Sequence, residues 1–187
     1  CFDGAMYEAA RILYDNISNF ARLASTLVKL ERYQQAVDAA RKANKINTWK
    51  EINAACVEAK EFRLAQQCAQ NIITHPDELD ELVRFYEVRG YFDEIIAVLE
   101  QGMGNESARK GYGVPTWLGI CYSKYRPTKL MEHLKLHINA VSIPRLIRVT
   151  EQNMQWAELT FLYRNYNEFD NAAITMIEHS PEAFDDS

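Results

Sequence analysis

Glycine and proline are scarce in this chain of 187 residues, which contains 7 glycines and 5 prolines. Strands and their tight turns usually require more residues that interrupt regular structure, so the shortage favours helices over sheets. Alanine, leucine, glutamate and glutamine, which are strong helix formers, fill the segments between the few breakers. The composition therefore predicts an all-α protein.

Closely spaced cysteines and long apolar runs are also missing. The 4 cysteines lie far apart and include no CxxC pair: Cys1, Cys56, Cys68 and Cys121. This distribution predicts reduced cysteines in an intracellular protein rather than a disulfide framework. The two longest stretches without a charged residue are 64–76 and 111–123. Both are shorter than the roughly 20 apolar residues that span a bilayer, so we expect no membrane span.

What the chain does contain is an internal repeat. Helical patterns begin near Asn19, Thr48 and Asp77, at a constant interval of about 29 residues. A second series of helices begins at aromatic residues with the same interval, at Tyr33, Phe62 and Tyr91. Each unit is a helical hairpin whose apolar face is buried only when hairpins stack on one another. The sequence predicts a single α-solenoid over residues 1–187, with about six stacked antiparallel hairpins and a period of about 29 residues.

Each repeat pairs an aromatic residue at the start of its second helix with a narrow stripe of alanines. Alanine lets two helix backbones approach closely, and the aromatic ring is expected to fill the gap at the turn. We therefore predict equivalent buried positions for Tyr33, Phe62 and Tyr91 or Phe92.

Helix boundaries are indicated by capping residues and by glycine. Thr48 and Glu51 match a capping box at a helix start, and Gly90 marks a tight turn after a helix. One unit is irregular, because the next helix start after Asp77 lies near Val114, later than the repeat requires. Glycines cluster in this unit, so we expect a longer connection or a short extra turn near residues 102–115. We also expect the lowest local stability of the chain there.

The two ends of the chain continue the helical pattern. Two further helices are expected at the C-terminal end, over residues 156–159 and 166–172. The first residues already follow a helical pattern and lack an initiator methionine, so we expect a segment of a longer solenoid.

Signals for catalysis are weak throughout. His133 and His137 have the i, i+4 spacing of half a zinc site, but there is no HExxH motif, and His75 and His179 are remote in sequence. The glycines of residues 102–107 follow no predicted strand and precede no Gly-Lys-Ser/Thr sequence, which argues against a phosphate loop. We expect no enzyme activity, no metal and no cofactor.

Charge is distributed unevenly. The chain carries −5 overall, but residues 114–150 contain six basic residues and a single acid, Glu132, for a net charge of +5. One interpretation is a solvated face. The other is a docking stripe for an acidic partner helix, with apolar contacts from Trp117, Tyr122 and Tyr125. Nucleic acid is a poorer candidate, because the remaining residues carry −10 and would repel phosphate.

Four tracts follow one another in order along the chain: ARLASTLV, EFRLAQ, RGYFDE and WAEL-x-FLY. They resemble the clathrin heavy chain family, specifically the repeats of its proximal leg, and the resemblance covers nearly the whole chain. The chain departs from the family pattern at residues 136–140, where Leu-His-Ile-Asn-Ala replaces Leu-Phe-Trp-Ser-Arg. Tetratricopeptide repeats fit less well, since their period is about 34 residues.

The resemblance implies a structural subunit of the clathrin coat that supports cage assembly in endocytosis and vesicle-mediated transport. Its implied location is the cytoplasmic face of coated pits and vesicles, with membrane contact only through adaptors. Other heavy chain legs are implied partners, as is trimerisation through a segment absent here. The acidic clathrin light chain is the implied partner of the basic segment, through Lys124, Arg126, Lys129 and Lys135.

Two alternatives remain open at this level. A vacuolar sorting or tethering subunit carries the same repeat and is also a scaffold. A helical domain associated with an enzyme would require a concave pocket with converging titratable groups, which the sequence does not indicate.

Overall fold

The computed structural model describes residues 2–16, 19–109 and 113–166. Within these ranges all the regular structure is helical, as the composition predicts, with twelve α-helices and two 3₁₀ turns in sequence. The chain forms two compact units, residues 1–84 and residues 85–187.

The first unit is built from the helices α1 (Phe2–Asn16), α2 (Phe20–Lys29), α3 (Tyr33–Ala43), α4 (Ile46–Glu58), α5 (Phe62–Ile72) and most of α6 (Pro76–Val88). Helix α2 packs along α3, and α4 packs along α5. Only three residues join the helices within each of these two pairs, so the paired helices run in opposite directions. Contacts of α3 with α4 and α5 then stack one hairpin on the next.

The second unit begins with the end of α6 and contains the helices α7 (Phe92–Gly102), α8 (Glu106–Arg109), α9 (Gly113–Tyr125), α10 (Leu130–His137), α11 (Ile143–Gln152) and α12 (Trp156–Asn165). The 3₁₀ turns, Pro127–Lys129 and Ile138–Ala140, precede and follow α10. Helix α9 is central to this unit, because α7, α8, α10 and α11 all pack against it.

The turn between the helices of a hairpin has the same backbone geometry four times. A residue with positive φ lies two positions before the second helix in each case: Glu31, Lys60, Gly90 and Met154. The N–H group of the next residue then bonds to the carbonyl five residues earlier, as from Arg32 to Leu27 at 2.9 Å. This is the Schellman arrangement, which satisfies carbonyl groups at a helix end. Gly90 was predicted for this role, whereas the other three residues were not.

Replacing Lys60 by glycine is expected to stabilise the first unit by about 0.5–1 kcal/mol. An L-residue with a left-handed backbone costs about 1–2 kcal/mol, and the greater freedom of glycine in the unfolded chain offsets part of the gain. Urea unfolding measures the difference. As the matched control, Gly90→Ala should lower stability, and a loss of stability in Lys60→Gly would contradict the argument.

The predicted alanine stripe is confirmed. Ala36 and Ala65 lie one repeat apart in equivalent positions of α3 and α5 and are almost completely buried, as are Ala40 and Ala69 one turn later. The prediction of buried aromatic residues was wrong, because Tyr33, Phe62 and Tyr91 are only half-buried and Phe92 is 36% exposed. These rings stand at the start of the second helix beside the hairpin turn, at the edge of the stack, while the alanines occupy its interior.

The capping box was also wrong. Helix α4 begins at Ile46, so Thr48 lies inside its first turn and is buried. Glu51 accepts a hydrogen bond from the Ser25 hydroxyl at 2.8 Å instead of capping the helix.

The expected short extra turn in the irregular unit is present as α8. Residues 110–112 of this connection lie outside the described residues, as does the last predicted helix beyond Tyr166. The low local stability of this connection stays a prediction.

The described cysteines Cys56, Cys68 and Cys121 are buried free thiols. Burial raises the pKa of the Cys121 thiol to about 12, which keeps it protonated at neutral pH. In the part of the chain that the structure describes, no helix is both long enough and apolar enough to cross a membrane.

Candidate partner-binding face

The predicted basic residues emerge at the end of a buried helix. Residues 114–123 of α9 are buried without interruption, and exposure begins at Lys124. The helix ends at Tyr125, and Pro127, which has no N–H group to donate to a helix, opens the following 3₁₀ turn. The four residues 126–129 after the helix are all exposed. The fold therefore presents Lys124, Arg126 and Lys129 to solvent over a short stretch.

Tyr125 fixes the orientation of the end of α9. Its ring stacks on Phe92 with 4.2 Å between ring centroids and an interplanar angle of 20°. Its hydroxyl donates a hydrogen bond to Glu87 Oε1 at 3.1 Å, and Lys124 Nζ lies 3.5 Å from the same oxygen. Burial and the adjacent Glu87 carboxylate raise the pKa of Tyr125, so the phenol remains a donor. Glu87 thus connects Lys124 and Tyr125 to α6.

A similar group lies one turn away. The Tyr122 hydroxyl donates to Glu100 Oε1 at 2.6 Å, and Lys129 Nζ approaches the same oxygen at 3.8 Å. The ammonium group of Lys129 is also 5.9 Å from the centroid of the Tyr122 ring. Burial, with the Glu100 carboxylate, raises the pKa of Tyr122. Glu100 therefore bridges Lys129 and Tyr122 from α7.

Arg126 completes the set by pairing with Asp93 of α7. We call these residues the paired basic face: the cations Lys124, Arg126 and Lys129 with the acids Glu87, Asp93 and Glu100. The structure brings three of the four predicted cations together, but each already has an acidic partner within the unit. Exposed ion pairs contribute only about 0–1 kcal/mol, so an acidic partner can exchange with these carboxylates at little cost.

Lys135 is placed differently. It is exposed on α10 and makes no ion pair with any residue in the described ranges. The apolar contacts assigned from the sequence need correction too, because Trp117 and Tyr122 are buried. The Arg145 guanidinium covers the ring of Trp117 at 4.9 Å. The exposed apolar side chains of this unit include Phe92 and Leu136, which periodicity did not single out as functional.

An open groove of about 320 Å³ adjoins the face at Lys129. Met103, Leu118, Tyr122 and Leu136 provide its apolar wall, and Glu100, Glu132 and His137 provide polar groups. Leu136 is 69% exposed at this site. The volume of the groove lies within the range of about 300–1,000 Å³ that is usual for ligand pockets, so a side chain of a partner can fill the groove.

The two histidines suggested by zinc spacing have other roles. His133 is 5% exposed, its Nε2–H group donates to the Pro115 carbonyl at 2.8 Å, and its ring meets Tyr122 edge-on at 5.4 Å. The ring of His137 is 5.0 Å from that of His133. No group of three or more histidine, cysteine or acidic residues in the described ranges is placed to hold a metal ion.

Acidification is expected to destabilise the second unit through His133. Burial lowers the pKa of this histidine, and the neighbouring His137 adds to the effect against the hydrogen bond to Pro115. A histidine whose pKa is depressed by folding stabilises the native state above its ordinary pKa of about 6.5, and this stability is lost as pH falls. Unfolding measured between about pH 7.5 and pH 5 should show this loss in the wild-type chain.

His133→Gln should weaken that pH dependence, because an amide keeps a donor for Pro115 without titrating. His75→Gln makes the same substitution at an exposed position of the first unit and is the matched control for the change of side chain. An unchanged slope in His133→Gln would assign the pH dependence to other groups.

Stacked hairpins with an exposed, charged and partly apolar face define this chain as a helical-repeat scaffold segment. A family model described as "Region in Clathrin and VPS" matches residues 1–64 and 70–187. The chain belongs to this clathrin repeat family.

Curated relatives agree with this assignment. The clathrin heavy chain of Dictyostelium discoideum is 58% identical over 185 residues, which cover 99% of this chain. The clathrin heavy chain of Drosophila melanogaster is 53% identical, and clathrin heavy chain 2 of Homo sapiens is 52% identical, each over 98% of this chain. The chain spans 11% of the length of each of these three relatives.

Proposed function

We propose that this segment is part of the leg of a clathrin heavy chain and acts as a structural element of the coat in endocytosis and vesicle transport. The observation that carries the proposal is the identity of 52–58% to clathrin heavy chains over almost the whole chain. A stack of hairpins in which each repeat contacts its neighbours presents an extended surface, which suits a structural element. The partners in this function are other heavy chain legs.

A chimera tests the proposal. The corresponding segment of the Dictyostelium clathrin heavy chain is replaced by this chain, and cage assembly by the purified protein and endocytosis in cells are measured. We expect cages and uptake close to those of the parent protein. A chimera that folds and trimerises but forms no cages would contradict a role in the leg.

A scaffold in vacuolar sorting or tethering is the second candidate, because the matching family model covers VPS proteins as well. The same chimera discriminates between the two functions. A segment specialised for a tethering complex should fail to support endocytosis in the clathrin background, whereas a clathrin leg segment should support it.

We further propose that the paired basic face receives an acidic helix of the clathrin light chain in the proximal leg. The cations Lys124, Arg126 and Lys129 supply orientation and encounter rate, and the groove beside Leu136 accepts an apolar side chain of the helix. The carboxylates of Glu87, Asp93 and Glu100 hold the cations in place before binding. Lys135 adds a further positive charge from α10, the helix that also carries Leu136.

The triple variant Lys124→Gln/Arg126→Gln/Lys129→Gln should bind a light-chain helical peptide several-fold more weakly than the wild-type chain at low salt. The difference should shrink in about 0.5–1 M salt, because exposed charges are then screened within a few ångströms. Neutral replacements are preferable to glutamates, which would stand against Glu87, Asp93 and Glu100. Titration calorimetry at both salt concentrations measures the effect.

The matched control is Lys45→Gln/Lys60→Gln/Arg63→Gln, which removes the same charge from exposed positions of the first unit. It should bind the peptide as the wild type does. Equal affinities of the two triple variants at low salt would show that the paired basic face is only a solvated surface.

A further inference from the structure

Thr128 differs from the other threonines of the described chain. It is the only exposed one, and among the described serines only Ser107 is exposed. Several other threonine hydroxyls bond to helix carbonyls four residues earlier, as Thr26 does to Arg22 at 2.9 Å and Thr160 to Trp156 at 2.8 Å. The Thr128 hydroxyl has no hydrogen-bond partner in the described residues, so it is free to react.

The backbone around Thr128 is accessible as well. Thr128 is the middle residue of the 3₁₀ turn Pro127–Lys129, within the exposed stretch 126–129. A bond from Lys129 N–H to the Arg126 carbonyl, at 3.0 Å, closes the turn. Opening a turn closed in this way requires little free energy, which suits a segment that must enter the active site of another enzyme.

Cations flank the hydroxyl on both sides. Arg126 precedes it by two residues and Lys129 follows it directly, with side-chain exposures of 46% and 56%. A phosphothreonine carries a charge of about −1.5 to −2 and accepts charge-assisted hydrogen bonds from arginine and lysine. Lys129 is 3.8 Å from Glu100, near the limit of an ion pair, and is therefore readily recruited by a phosphate.

We propose that Thr128 is a phosphorylation site for a kinase that selects basic residues around its target, and that the phosphate closes the paired basic face to acidic partners. The γ-phosphoryl group of ATP is transferred to Thr128 Oγ1. The bond from the γ-phosphorus to the oxygen that bridges it to ADP breaks as the new O–P bond forms, and the hydroxyl proton passes to a base of the kinase.

The consequence follows from charge balance, and for the light chain it rests on the function proposed above. The phosphate occupies Arg126 and Lys129 and leaves Asp93 and Glu100 without their cations. The face then changes from balanced to acidic and repels an acidic helix.

Phosphate incorporation into the folded chain is tested with a panel of basophilic kinases and Mg·ATP, and the modified residue is mapped by mass spectrometry. We expect phosphate on Thr128, no incorporation there in Thr128→Val, and a several-fold lower rate in Arg126→Gln. Ser107→Ala is the matched control at the other exposed hydroxyl and should not change the rate. Absence of phosphate on Thr128, or incorporation only after denaturation, would overturn the proposal.

The electrostatic effect of the phosphate is measured in the absence of a binding partner. Phosphothreonine is incorporated at position 128 during synthesis, and its second pKa, ordinarily about 6, is followed by ³¹P NMR. We expect that pKa to be lower than in the same protein carrying Arg126→Gln and Lys129→Gln. Equal values would show that the phosphate does not engage the cations and would overturn the switch.

Binding of the light-chain peptide is measured last, and we expect at least a tenfold loss of affinity on phosphorylation. Failure of the unmodified chain to bind would contradict the light-chain proposal alone, since mass mapping and ³¹P NMR report on Thr128 independently. Equal binding by the modified and unmodified chains would overturn the switch.

Discussion

Replacing Leu146 by alanine is expected to lower the free energy of unfolding of the second unit by about 2–5 kcal/mol, the usual cost of removing a fully buried leucine side chain. Leu146 is completely buried in α11. It faces Gly119 of α9 so closely that a methyl group on the glycine would lie 3.0 Å from Leu146 Cδ2. The surrounding helices are fixed by several contacts with α9 and cannot easily collapse into the cavity.

Unfolding is followed by tryptophan fluorescence in a Trp49→Phe background, which leaves Trp117 and Trp156 as reporters in the second unit. A loss below about 1 kcal/mol would show that this core relaxes around the cavity. Ile147→Ala, at the half-buried neighbouring position, is the matched control and should cost less.

The close approach of Gly119 and Leu146 also predicts that substitutions at these two positions have non-additive effects on stability. Gly119→Ala improves helix propensity by about 1 kcal/mol, but in the wild-type chain it must displace Leu146 or press on His133, whose Cδ2 would be 3.4 Å away. In the Leu146→Ala background the closer obstruction is gone and only the 3.4 Å contact with His133 Cδ2 remains, so Gly119→Ala should be less destabilising than in the wild-type chain, or stabilising. Additive effects would mean that the two positions do not share one packing site.

The architecture was predictable because its signals are local. Apolar spacing within each helix and the constant interval between helix starts predicted the hairpins, and Ala36 and Ala65 occupy the expected equivalent positions. The turn geometry was only partly predictable, since Gly90 indicates a left-handed residue but Glu31 and Lys60 do not. The available signal was that Glu31 and Lys60 stand at the same position of the repeat as Gly90, two residues before the second helix of a hairpin.

The candidate site was predictable only in part, because its contacts are not local. The positive charges at Lys124, Arg126 and Lys129 were evident, but their acidic partners belong to α6 and α7, one repeat length or more earlier in the chain. Charge counting along a segment therefore overestimated the free positive charge. It also assigned Tyr122 to a partner, although that ring is buried and bonded to Glu100.

Replacing Ala65 by leucine is expected to destabilise the first unit by about 1–3 kcal/mol, the usual cost of overpacking a close-packed interior. Ala65 is 1% exposed in α5, and its equivalent Ala36 is completely buried in α3. These helices pack on one another in the stack, and the small side chains set their separation. The larger side chain must push the two hairpins apart or adopt a strained rotamer.

Trp49, which is buried in α4 of the same unit, reports the unfolding once Trp117 and Trp156 are replaced by phenylalanine. Ala9→Leu is the matched control, because Ala9 is exposed on α1 in the same unit and leucine and alanine have similar helix propensities. It should change stability by less than about 0.5 kcal/mol, as exposed substitutions usually do. If both variants were as stable as the wild type, the space between α3 and α5 would have to accommodate a leucine, and the alanine stripe would not determine how closely successive hairpins stack.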